Sequence, residues 1–183
     1  MKKIQQGFTI LELMVTVAIV GIVATIALWN SSDMLEDNRA ENFLLELKRN
    51  ITYARSQAAS TDSIVVVCPA ASGDVATSKA TLNCRNEWGA GSTVILFVDG
   101  DRDGNYDADS DSLLRVMSDT PSSDKVKYDG NVSRLSFNAT GRLISAAGDF
   151  IYCPNNDNKN NKALTVSQSG TSFFVGDTAK TCS

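Results

Sequence analysis

Residues 99 to 107 read Asp-Gly-Asp-Arg-Asp-Gly-Asn-Tyr-Asp. Asp99, Asp101 and Asp103 take the first, third and fifth positions of a twelve-residue calcium loop, Gly104 the sixth, the Asn105 carbonyl the seventh and Asp107 the ninth. Hard oxygen donors at this spacing suit calcium. The twelfth position, where a bidentate Glu closes such a loop, is Ser110, so Asp109 or Asp111 would have to stand in. Asp and Gly also build turns without any metal. That plainer reading is taken here: no cofactor is expected, and calcium is the one ion the residues would suit.

The other reactive residues narrow the chemistry by what is missing. The 183-residue chain has no histidine, which removes the commonest general base and zinc ligand. Catalytic triads of the Ser-His-Asp and Cys-His types are excluded, and no enzyme is expected. The four cysteines, Cys68, Cys84, Cys153 and Cys182, form no Cys-x-x-Cys pair. An even count in a small exported domain reads as two disulfides. Four cysteines allow three connectivities; nearest pairing, Cys68–Cys84 and Cys153–Cys182, is the expected one. With 17 Lys and Arg against 21 Asp and Glu, the net charge of −4 disfavours a bulk basic surface for nucleic acid.

Glu12 is the remaining residue whose type conflicts with its surroundings. It is the sole charge in the apolar run from Phe8 to Leu28, which follows Lys2 and Lys3. At about 1.5 Å per residue, 21 residues span roughly 30 Å of helix, one bilayer core. The lysines favour a cytoplasmic N-terminus. A carboxylate in such a segment is costly, by at least about 2.5 kcal/mol, and marks function by default.

Gly7-Phe8-Thr9-Ile10-Leu11-Glu12-Leu13 after a short basic leader resembles the prepilin motif of type IV pilins and type II secretion pseudopilins. The resemblance implies cleavage between Gly7 and Phe8 by a prepilin peptidase and N-methylation of Phe8. It also implies an inner-membrane stage, followed by assembly with other major and minor pilins or pseudopilins through the N-terminal helix. Glu12 would then meet the Phe8 ammonium of a neighbouring subunit, each charge needing a partner among apolar helices. The organisation expected is a leader over 1–7, a transmembrane and assembly helix over 8–29, and a periplasmic or extracellular globular domain over 30–183.

The elements that must carry these residues follow from periodicity. Residues 30–59 lack Gly and Pro, and Phe43, Leu47, Ile51, Ala54 and Ala58, flanked by Ala40 and Leu44, form one apolar stripe. One long helix over about 8–59 is expected, with Glu36, Asp37, Arg39, Glu41, Glu46, Lys48, Arg49 and Arg55 on a solvated face. Beyond it, apolar runs at 63–68 and 93–98 read as strands, as do shorter segments including 113–117, 126–128, 134–138, 142–145, 149–153, 163–167 and 172–175. Residues 139–141 and 168–170 read as hairpin turns, and 154–162 as a solvated tip. A helix followed by successive short strands predicts an α+β fold with a mostly antiparallel sheet.

Ala54-Arg55-Ser56-Gln57-Ala58, Val67-Cys68-Pro69, Cys84, Trp88, Phe97-Val98-Asp99 and the Phe137-x-x-x-Gly141 hairpin before Cys153 are together similar to the GspH/FimT/FimU branch. That resemblance implies a helix packed on two sheets and a minor pilin, seated near the tip of a type IV pilus. The alternative is a minor pseudopilin of the GspH type in a periplasmic type II secretion pseudopilus. An alternative of another class is a DNA receptor for natural transformation, since some FimT-type pilins bind DNA through a Gly-Arg-x-Arg element. The corresponding stretch here, Ser169-Gly170-Thr171-Ser172-Phe173, has no arginine, so DNA is not an expected partner. Lys125, Lys127, Lys159, Lys162 and Lys180 are the cations that could still converge on a phosphate.

Overall fold

The computed structural model describes residues 8–29 and 31–182, so the leader and Gly7 lie outside the described residues. The chain forms two compact units, Met1–Leu35 and Glu36–Ser183. The first contains α1 (Ile10–Trp29), and α2 (Ser31–Thr61) runs across the boundary between the units. The expected long helix is thus seen as two helical segments, with Asn30 outside the described residues. Every described side chain of α1, from Ile10 to Ile26, is exposed.

The second unit adds ten strands: β1 (Val65–Ala71), β2 (Thr81–Leu82), β3 (Ser92–Val98), β4 (Tyr106–Asp107), β5 (Ser112–Val116), β6 (Lys125–Tyr128), β7 (Leu135–Phe137), β8 (Gly148–Cys153), β9 (Lys162–Val166) and β10 (Ser172–Asp177). A short helix, α3 (Ser72–Ala76), follows β1. One sheet has the order β5-β3-β1-β7 and the other β10-β9-β8-β6, while β2 and β4 pair alone. Every pairing is antiparallel. The α+β architecture with antiparallel sheets is as expected.

One core joins α2 to both sheets. Ala40, Leu44, Leu47, Ile51, Ala54 and Ala58 of α2 lie against Val65, Val67, Leu96 and Phe137 of the first sheet and Phe150, Tyr152 and Leu164 of the second. Phe43 is a half-buried flank of this stripe, its ring 5.2 Å from that of Tyr152. The opposite face of the first sheet, with Val66, Cys68, Ala70, Ile95 and Phe97, is covered by a second cluster that includes Leu82, Val75 and Tyr106. β1 and β3 are therefore buried on both faces, which is why their sequences are continuous apolar runs.

Three expectations are corrected. Residues 142–145 are not a strand among the described residues; Leu143 makes one isolated bridge to Phe137. Their backbone bonds are divided: Asn138 N–H donates to the Arg142 carbonyl at 3.0 Å and Ile144 N–H to the Ser136 carbonyl at 2.7 Å, but Leu143 N–H donates to the Gln168 carbonyl at 3.3 Å, and Gln168 Nε2 donates to the Leu143 carbonyl at 2.5 Å. The polar face of α2 is not simply solvated. Arg39 pairs with the fully buried Asp124 at 3.2 Å, Asp37 with Lys162 at 2.7 Å, and Arg55 Nη1 donates to Thr171 at 3.0 Å. Nor is 154–162 a free tip, because Asn155 and Asn160 both donate to Glu36 Oε2, at 2.6 and 3.4 Å, and Asn161 is buried.

Candidate functional site

The N-terminal candidate is built on a helix start. Thr9 precedes α1, and its Oγ1 accepts the backbone N–H of Glu12 at 3.2 Å. Thr9 is thus the N-cap and Glu12 the third helical residue of a Thr-x-x-Glu capping pattern. This role of Thr9 was legible in the sequence as that spacing, but Glu12 drew attention for its charge alone. A carboxylate in the first turn is also favoured by the helix dipole. Phe8, one residue before the cap, is 81% exposed, and so are the large apolar side chains of α1 that follow. An α-helix that is apolar all round is stable only when buried by something else. Among the described residues no helix is long and apolar enough to cross a membrane on its own.

The cysteines pair as expected. Cys68–Cys84 joins β1 to the segment before Trp88, and Cys153–Cys182 joins the end of β8 to the residues after β10. No cysteine is free among the described residues.

The aspartate loop leaves β3, consistent with the absence of a helix before it. A carboxylate oxygen from each of Asp99, Asp101 and Asp103 lies within 4.8 Å of the others. Asp107 is not in that group; its Oδ1 accepts the Asp109 N–H at 3.0 Å. Asp111 does not take the place of the missing Glu. Its two oxygens accept the N–H groups of Gly100 and Asp107, both at 2.8 Å, closing the loop as a clasp. Ser110 Oγ donates to Asp101 Oδ2 at 3.3 Å. Arg102 and Gly104 have φ of 67° and 80°, where glycine is at ease and arginine is not. At Gly104 a Cβ would also lie 2.3 Å from Arg134 Cζ, so any side chain there would displace the arginine's guanidinium. The loop is tied to the first disulfide, since Cys84 N–H donates to Asn105 Oδ1 at 3.1 Å. Asp99 is only 6% exposed and its Oδ1 has no hydrogen-bond partner. Burial, with the charges of Asp111 and Asp101 adding to it, holds the Asp99 carboxyl above the usual carboxylate range against the Gly104 and Arg102 N–H groups.

Two of the five cations that could have met a phosphate are held in ion pairs. Lys162 lies between Asp37 and Asp177, both at 2.7 Å. Burial opposes its charge, but the two hydrogen bonds outweigh that and hold its pKa above the usual lysine range. Lys180 contacts Asp129 at 2.7 Å and Asp149 at 2.6 Å, and these carboxylates likewise raise it.

A family model described as type II transport protein GspH matches residues 45–170, and one described as the prokaryotic N-terminal methylation motif matches residues 2–28. No curated protein matches the chain. Among solved structures, the type IV minor pilin FimU of Pseudomonas aeruginosa is similar in two crystal forms, each at 22% identity. In one the TM-score is 0.56, covering 79% of this chain and 93% of that one. In the other it is 0.53, covering 75% and 93%.

Proposed function

The chain belongs to the GspH family of type II transport proteins, and from that premise we propose that it is a minor pilin, a structural subunit of a type IV pilus. One observation carries the reading. A helix exposed and apolar on all sides among its described side chains, with a lone carboxylate in its first turn, accompanies a two-sheet unit whose described core residues run from Ala40 onward. Such a helix needs an apolar environment from outside: first the inner membrane, then the helices of neighbouring pilins. The methylation motif over residues 2–28 and the likeness in fold to FimU support it.

In this reading a prepilin peptidase cuts between Gly7 and Phe8, the new amine is methylated, and Glu12 meets the Phe8 ammonium of an adjacent subunit. The apolar surfaces supply most of the attraction and the ion pair fixes axial register. The chain catalyses nothing itself. The family's description is also compatible with a second reading, a pseudopilin confined to a periplasmic secretion pseudopilus.

The test uses the native host. Mass spectrometry of the mature protein is expected to find methylated Phe8 as the first residue, and any other mature N-terminus defeats the processing claim. Replacing Gly7 by a bulky residue should leave the precursor uncut. Recovery of the protein in sheared surface pili supports the pilus reading; recovery only in the envelope of a secreting strain supports the pseudopilus. Glu12→Ala should lower that recovery without changing the folded unit, and normal incorporation of the variant contradicts the register role.

A further inference from the structure

We propose that the loop leaving β3 is a calcium site whose protein ligands are Asp99, Asp101 and Asp103. The proposal is independent of the filament reading. Calcium–oxygen distances of about 2.3–2.6 Å place ligands on opposite sides of one ion roughly 4.6–5.2 Å apart. The three carboxylates, each with an oxygen within 4.8 Å of the others, already fit around such an ion.

Proximity of acids alone would not distinguish this loop from any acidic turn. Asp99 does. It is almost wholly buried, it faces Asp101 and Asp103, and its Oδ1 receives no hydrogen bond. A buried carboxylate oxygen is normally paired, because water is not there to replace the missing donor. The side chains that could serve as donors are turned elsewhere: Ser110 Oγ donates to Asp101, and Arg134 Nη1 donates to the Gly104 carbonyl at 3.1 Å, while the Gly104 and Arg102 N–H groups beside the carboxyl leave Oδ1 unpaired. Asp111, also near, adds negative charge rather than a donor. What Asp99 lacks is a cation, and the two exposed acids beside it complete a set of hard oxygens.

The same geometry sets the strength. Asp111 is occupied as the clasp on Gly100 and Asp107, so no bidentate carboxylate closes the coordination sphere and water fills the rest. Arg134 also stands close to the loop and opposes a second cation. Binding then belongs to the weak end for calcium, a dissociation constant of about 10⁻⁴–10⁻³ M, which is the range of extracellular modules. Magnesium, which demands a near-ideal octahedron and gives up water reluctantly, is the poorer fit.

The test uses the full chain in detergent micelles, stripped with chelator and titrated calorimetrically with CaCl2 or MgCl2 to about 10 mM, a concentration that saturates a site of this strength. Thermal unfolding is followed in parallel. One saturable calcium site is expected, with magnesium at least about tenfold weaker and a calcium-dependent rise in Tm. Asp101→Asn with Asp103→Asn changes only exposed side chains, so the variant should keep its calcium-free Tm and lose both the binding and the rise. No saturable heat up to that concentration, an equal response to magnesium, or undiminished binding by the double variant overturns the proposal.

Discussion

Asp124 is a buried charge that links α2 to the second sheet. Its side chain is fully buried, accepts Tyr152 OH at 2.6 Å and Ser123 Oγ at 2.5 Å, and pairs with Arg39 Nε at 3.2 Å. Arg39 is 41% exposed, so the pair is asymmetric: water can replace Asp124 for the arginine but cannot replace Arg39 for the aspartate. Arg39→Ala should therefore cost about 2 kcal/mol, the value of a hydrogen bond to a charged group left without its partner. Asp124→Asn should add little in that background, because the uncompensated charge is then gone. Urea denaturation of the four members of the double-mutant cycle measures this; strictly additive losses would show that the two residues do not act as a pair.

At the scale of elements, two glycines of the β9–β10 hairpin have positive φ for different reasons. Gly170, φ 80°, closes the turn, and a Cβ there would lie 2.4 Å from the Gly141 carbonyl oxygen. Gly176, φ 86°, sits at the register shift of the hairpin with nothing within 4 Å of a Cβ. Gly176→Ala should cost about 1 kcal/mol of backbone strain, and Gly170→Ala roughly 2–3 kcal/mol because the second turn must also move. Thermal unfolding of the two variants tests the order; equal losses would mean that the approach to Gly141 relaxes freely. The turn at Gly170 was legible from Gln168-Ser169-Gly170, and β1 and β3 from unbroken apolar runs, because burial on both faces leaves that mark. β2 and β4 were not, since two residues carry no period. The false strand at 142–145 has strand-like residues and bonds back to Ser136 and Asn138, but Leu143 turns its backbone to Gln168, and side-chain pattern does not report backbone partners. In the aspartate loop the three convergent acids were legible from spacing. Asp111 as a clasp was not, because its role depends on a fold-back of the chain.

For the molecule as a whole, the second unit holds several protons more tightly folded than unfolded. Burial pushes the Tyr128 and Tyr152 hydroxyls up, with Asp129 and Asp149 adding at Tyr128 and Asp124 adding at Tyr152. Lys162 and Lys180 are raised by their carboxylate partners. A raised folded pKa stabilises fully below the unfolded value and loses that contribution as pH climbs through the folded one. All four groups therefore predict a fold that weakens above about pH 10, where unfolded tyrosine and lysine begin to lose protons. Phenolate absorbance followed with circular dichroism should show two of the four tyrosines ionising only as the fold is lost; ionisation of all four within an intact fold contradicts it. The two disulfides also impose a chronology. Synthesis runs from the N-terminus, so Cys84 follows Cys68 by 16 positions and their bridge can close while most strands are still to be made. Cys153 must wait 29 positions for its partner, an interval that contains both β9 and β10. A chain halted within that interval carries an unmatched thiol at the end of β8. The second bridge thereby works as a completion mark, closed only on molecules whose second sheet has received its last two strands.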